Sequence, residues 1–384
     1  MSLDEERQQR IVITHTGSLP RPSALSALLV GNKPDQASEL AHATSHAVTD
    51  IVTRQLDLGI DVVSDGEQSK VSFQVYALDR LSGLEPIEPD AGPRRTRENM
   101  AFPAYYRGGA HPGSAQAAFA CTGPVAYKGQ ARLATDIANL KAALDGRDAV
   151  DVFMPSVSPS SLASLLENHH YATEEEYVLA CAEAMRVEYE TIVAAGFLLQ
   201  IDDPRLAMHY MLSPDQTVEQ TRAWTRERIE ILNHALRNIP PDRVRHHTCY
   251  GINMGPRVSD FELKHLADLL LNIHAKYYSF EMANPRHEHE WRVWREVALP
   301  ADKVLVPGCI THASVIVEHP ELVAERIVRL AGVVGRERVM ASTDCGFAST
   351  INPNIPPEVE PEIVWAKFQS LAEGARLATK QLWG

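Results

Sequence analysis

No uninterrupted apolar stretch reaches about 18 residues, which excludes a membrane-spanning helix. Positive charge is in short supply: 37 Lys and Arg stand against 50 Asp and Glu, a formal net charge of −13. A general nucleic-acid partner is therefore excluded, because a phosphate backbone demands a basic face. Cysteine is scarce, with 5 in 384 residues, and the five are widely spaced. The opening Met1-Ser2-Leu3-Asp4-Glu5-Glu6 lacks the basic-then-apolar order of a signal peptide. A cytoplasmic protein follows, with its cysteines as free thiols or metal ligands. Internal repeats, low-complexity tracts and linkers are also missing, so 1–384 reads as one domain.

What is present is alternation. Short apolar runs at 11–14, 60–64, 150–154, 198–201, 244–247, 277–280, 304–306 and 339–341 have the length and composition of strands. Longer helical patterns lie between them, at 45–58, 133–144, 174–195, 218–236, 261–271, 321–330 and 362–380. Eight strands each followed by a helix make a parallel sheet, and closing that sheet gives a TIM (β/α)8 barrel. The segment 84–127, rich in Pro, Gly and Arg, breaks the rhythm. It reads as a hairpin-like insertion after strand two, lying over the barrel mouth.

In such a barrel the reactive groups gather at the C-terminal strand ends. Strand five ends Arg245-His246-His247-Thr248-Cys249. Side chains alternate along a strand, so His247 and Cys249 share a face and His246 points away. Strand six ends in Glu281 and strand eight runs into Asp344-Cys345-Gly346. One nitrogen, one oxygen and two sulfurs from adjacent strand ends suit tetrahedral zinc. Cys309, near the end of strand seven, is a rival ligand ranked below Cys345. Cys121 and Cys181 read as small buried hydrophobes.

These residues resemble the C-terminal catalytic barrel of cobalamin-independent methionine synthase and its single-barrel relatives. Thr16-Gly17-Ser18-Leu19-Pro20, Asp65-Gly66-Glu67 and Gln200-Ile201-Asp202-Asp203-Pro204 are similar to that family's strand ends, in the same order. The resemblance implies a zinc set of His247, Cys249, Glu281 and Cys345. It implies Ser18, Glu67 and Asp202 as holders of an amino-acid thiol such as homocysteine, and His312 as the proton donor. Two carboxylates suit an ammonium group. Glu281 is expected to be the exchangeable ligand, since carboxylate binds this borderline-soft ion less firmly than thiolate does. The expected activity is zinc-dependent methyl transfer to a thiol. One departure bears on the donor: the third strand leads into Met154-Pro155-Ser156-Val157-Ser158-Pro159, without the tryptophan that borders folate in the family. The donor is thus methylfolate or something simpler. Epoxyalkane:coenzyme M transferase, similar in size and in its zinc cysteines, supplies an alternative, for which Arg94, Arg95, Arg97 and Arg107 are candidate sulfonate partners. A non-catalytic zinc barrel is a second alternative.

Overall fold

The computed structural model describes residues 1–88, 95–107, 118–251, 255–351, 357 and 359–384. Its strands are β1 (Val62–Val63), β2 (Leu84–Ile87), β3 (Ala118–Cys121), β4 (Asp151–Val157), β5 (Leu166–Asn168), β6 (Leu198–Asp202), β7 (Val244–Thr248), β8 (Tyr277–Phe280), β9 (Val304–Ile310) and β10 (Ser342–Thr343). Seven of them form one parallel sheet in the order β1-β4-β6-β7-β8-β9-β10.

Segment 11–14 closes this sheet on itself. Thr14 N donates to Ala341 O and Ala341 N to Val12 O, both at 2.9 Å, on the β10 side. On the β1 side Asp61 N and Val62 N both donate to Ile13 O. The eighth strand is thus a short bridging segment, and the expected TIM-like barrel stands. The ring interior is filled, not hollow: Val12, Val62, Phe153, Leu198, Tyr277, Val304, Val306 and Met340 pack together inside it. Arg245 is buried among them, its guanidinium 4.0 Å above the Phe153 ring and donating to Thr14 Oγ1 and His15 O.

Helices form where an apolar stripe meets a good start signal. In the helix Glu174–Ala194, Thr173 and Glu176 make a capping box and the first turn carries three glutamates. Its stripe of Tyr177, Cys181, Met185, Tyr189 and Ile192 is buried, at the three- and four-residue spacing that faces a core. Replacing Thr173 with Ala would remove the cap, a loss of about 1 kcal/mol. Among the described residues, no helix is long and apolar enough to cross a membrane.

Three expectations need correction. The helix expected over 261–271 is a 3-10 turn, Leu263–His265, and a four-residue helix, Ala267–Leu270. The backbone leaves the helical region at Leu266, φ −121°, which divides the run in two; the Glu290 carboxylate accepts from Leu263 N at 2.7 Å. β4 runs past Pro155 to Val157, beyond the 150–154 expected, and the Pro155 carbonyl accepts from Lys70 Nζ. The last strand is Ser342–Thr343, with Val339 and Ala341 making only single bridges.

The insertion is hairpin-like, with a third strand the sequence did not disclose. β2 pairs antiparallel with β3, and β5 adds in parallel. Between them lie the short helices Arg97–Ala101 and Pro103–Arg107, whereas 89–94 and 108–117 fall outside the described residues. A buried charge network anchors it. Glu188 accepts from Tyr76 and Tyr127 hydroxyls at 2.6 Å and from Arg80, which also pairs with Asp136. At the far side Glu98 Oε1 accepts from Val258 N and Ser259 N, so the insertion grips the loop after β7.

Candidate metal centre and active site

The C-terminal ends of β7 and β10 bring His247, Cys249 and Cys345 together. Their ligand atoms lie within 4.8 Å of one another and all three are buried. The two sulfurs are 3.6 Å apart and not joined by a disulfide. His247 Nδ1 is committed to Ser279 Oγ at 3.0 Å. That leaves Nε2, buried and without a partner. A ring fixed through one nitrogen with the other presented is the usual arrangement of a metal-binding histidine. The Cys345 S–H beside it, and then His247, pull the Cys249 thiol down to about 5 against the effect of burial; the same sharing pushes Cys345 up. A ready thiolate, a second sulfur and a presented imidazole are a donor set that fits zinc.

Glu281 is adjacent but lies outside that cluster. Its Oε1 accepts from Tyr250 N at 2.9 Å; its Oε2 accepts from Arg257 Nη1 at 2.7 Å and Asn284 Nδ2 at 2.8 Å. Burial, the largest single effect, would raise its carboxyl, but the Arg257 charge together with His312, His287 and the Tyr250 N–H lowers it on balance. Asn284 also donates to Asp344, whose other oxygen accepts from Met282 N and Ala283 N. Asp344 therefore shapes the loop that carries Glu281. Cys309 is buried away from the cluster, its thiol pushed up to about 12 by burial. Cys121 and Cys181 are buried as expected. His246 points away, toward Asp203, 4.0 Å from its carboxylate.

Across the mouth stand the residues from strands one, two and four. Glu67 and Asp202 are buried, and burial raises both carboxyls, Asp202 to about 7. Asp202 Oδ1 accepts from Gln200 Nε2, whereas Glu67 Oε2 is buried with no partner. Lys70 eases the repulsion between them but spends its ammonium on Pro155 O. Glu67 sits at φ +56°, a left-handed backbone rare for a side chain with a Cβ, and such strain clusters at functional sites. Gly17, at φ +150°, leaves the Glu67 carboxylate its place: a Cβ there would meet Glu67 Oε1 at 2.7 Å and push it aside. Ser18 Oγ pairs with Ser349 Oγ at 2.8 Å and lies 3.3 Å from Ala348 N, so it borders the loop that follows Cys345.

His312, at the end of β9, is buried with neither ring nitrogen bonded. Burial drops its pKa to about 4, so the ring is neutral near neutrality. Three of the four arginines suggested for an anionic thiol have other partners. Arg95 pairs with Asp215 in solvent, Arg97 lies over Tyr210, and Arg107 donates to Pro103 O; Arg94 lies outside the described residues. Sequence reasoning missed Arg257, Asn284 and Ser349. Asn284 had one available signal, its place three residues beyond Glu281; Arg257 and Ser349 had none.

Comparison with known proteins is consistent with this geometry. A family model described as the catalytic domain of cobalamin-independent synthase matches residues 163–361. A methionine synthase of Saccharolobus islandicus is 24% identical over 381 residues, covering 96% of this chain and 95% of its own. The uncharacterized protein YxjH of Bacillus subtilis is likewise 24% identical, over 387 residues, with the same coverage. Among solved structures, a B12-independent methionine synthase from a Shewanella species, in complex with selenomethionine, superposes with TM-score 0.72 at 19% identity, covering 97% of this chain and 99% of that one.

Proposed function

Because the chain belongs to the cobalamin-independent methionine synthase catalytic-domain family, we propose that it methylates the sulfur of a homocysteine-like thiol at a zinc ion held by His247, Cys249 and Cys345. The observation that carries this reading is the convergence of those three buried donor atoms within 4.8 Å. A bound zinc would lower the pKa of the substrate thiol, so that its proton leaves to solvent and the thiolate, the nucleophilic form, remains.

The protein's own residues do the rest. Ser279 holds His247 in the tautomer that presents Nε2. Glu67 and Asp202, both reluctant to be charged together, gain from an ammonium group placed between them. Ser18 offers a hydroxyl to the substrate carboxylate. The thiolate attacks the methyl carbon, the bond from methyl to its donor atom breaks, and that atom needs a proton. His312 supplies it. Its burial keeps the ring neutral until a proton arrives, and makes the imidazolium a strong donor once formed. The proton lost by the thiol balances this step, so none is consumed. The selenomethionine bound to the Shewanella relative supports a methionine-type product.

The donor is proposed only by class, as methylfolate or a smaller methyl donor. The test is a mass-spectrometric product screen with zinc-loaded protein, homocysteine or coenzyme M as the thiol, and methylfolates, small methyl donors and epoxides in turn. Methionine is the expected product. Hydroxyalkyl thioethers from epoxide and coenzyme M, with no methionine from any donor, would overturn the proposal.

A further inference from the structure

We propose that Arg257 is a positioning residue that gives Glu281 a second partner: it draws the carboxylate away from the metal and so leaves a coordination position to the substrate thiol. This rests on the zinc reading above and deepens it.

Glu281 is in a place where a carboxylate cannot stand alone. It is 1% exposed and its companion Arg257 only 6%. The guanidinium meets it at 2.7 Å, with Asn284 and the Tyr250 N–H completing its shell. Taking such a charge off a metal without a new partner would leave it buried and uncompensated, which is strongly unfavourable. The charge count of the centre points the same way. Two thiolates and a carboxylate already outweigh Zn2+, and a substrate thiolate adds one more negative charge in a water-poor site. Arg257 supplies positive charge at the group that has to leave.

Arg257 is also held for this purpose. Its Nη2 donates to Gly251 O at 2.6 Å, and its backbone sits at φ +51°, a conformation that favours glycine. The next two residues are clamped through their N–H groups by Glu98 of the insertion. The insertion thereby sets the position of the arginine, and the arginine that of the carboxylate.

The experiment compares the parent with Arg257→Met and Arg257→Lys. Zinc affinity is read by competition with a chromophoric chelator. Thiol binding is read by titrating homocysteine into Co2+-substituted protein and following the thiolate-to-cobalt charge-transfer band. Without the arginine, Glu281 stays with the metal. Arg257→Met should therefore bind zinc ~10–100-fold more tightly, the size typical of groups that orient metal ligands, and should require correspondingly more homocysteine. Arg257→Lys, which keeps the charge but not the fork, should shift both in the same direction by less. If Arg257→Met does not fold, the lysine variant decides. A variant that matches the parent in both titrations overturns the inference and leaves the zinc reading intact. A parent that takes up neither zinc nor cobalt defeats both.

Discussion

The sulfur atoms of Cys249 and Cys345 lie 3.6 Å apart although 96 residues separate them in the chain. One follows β7 and the other β10, and no local turn could bring them together. Curvature of the sheet β7-β8-β9-β10 does so, by carrying β10 round the rim toward β7. The shared proton that lowers the Cys249 thiol to about 5 depends on that proximity.

Metal content follows directly. Purified protein should carry close to one zinc per chain, and Cys249→Ser or Cys345→Ser should lose most of it by elemental analysis. Glu281→Gln should retain more than either, since its carboxylate lies outside the three-donor cluster. Full zinc occupancy in the double serine variant would dismiss the ligand assignment.

For the proton donor, His312→Asn should keep zinc and thiol binding while turnover falls by roughly 10²–10⁴-fold, the usual contribution of a general acid. Rates equal to the parent, measured with the donor identified by the product screen, would reduce His312 to a packing residue.

The thiol pocket makes a prediction with two arms. Glu67→Gln preserves size and removes a buried carboxyl that has no partner at Oε2. Homocysteine affinity, by calorimetry, should drop by about 10–100-fold, the value of a charge-assisted hydrogen bond. Coenzyme M carries a sulfonate where homocysteine has an ammonium, so the variant should bind it no worse than the parent does. Tight coenzyme M binding to the parent, with none of homocysteine, would favour epoxide chemistry instead.

Acid stability is set in part by two histidines away from the metal. Burial depresses His15 and His209 to about 3, well below the ~6.5 of an unfolded histidine. Below that value the unfolded chain takes up protons that the folded chain refuses. Their contribution is therefore complete above pH ~6.5 and is lost steadily as pH falls toward 3. Urea midpoints should decline between pH 7 and 5. His209→Gln should flatten the decline, and an unchanged slope would remove His209 from the account.

How far the sequence could be read is best judged on particular elements. The strand Tyr277–Phe280 and the helix starting at Glu174 came out at their expected places, because a buried apolar run and a capping box are local signals. Residues 261–271 did not form the one helix that their pattern suggests, because the backbone leaves helical angles at Leu266. The third strand of the insertion, Leu166–Asn168, was hidden because its partner lies more than 40 residues earlier.

Local chemistry in the sequence determined which residues reach the barrel mouth. Alternation along β7 put His247 and Cys249 on one face, and the strand rhythm set Glu67, Asp202, Glu281, His312 and Cys345 at neighbouring ends. Only the tertiary structure decided how those groups divide among partners. His247 Nδ1 goes to Ser279, and Glu281 to Arg257 and Asn284. The physical reason is that a strand's period is a property of its own backbone, whereas a buried polar or charged group is settled by whichever partner packing brings within reach.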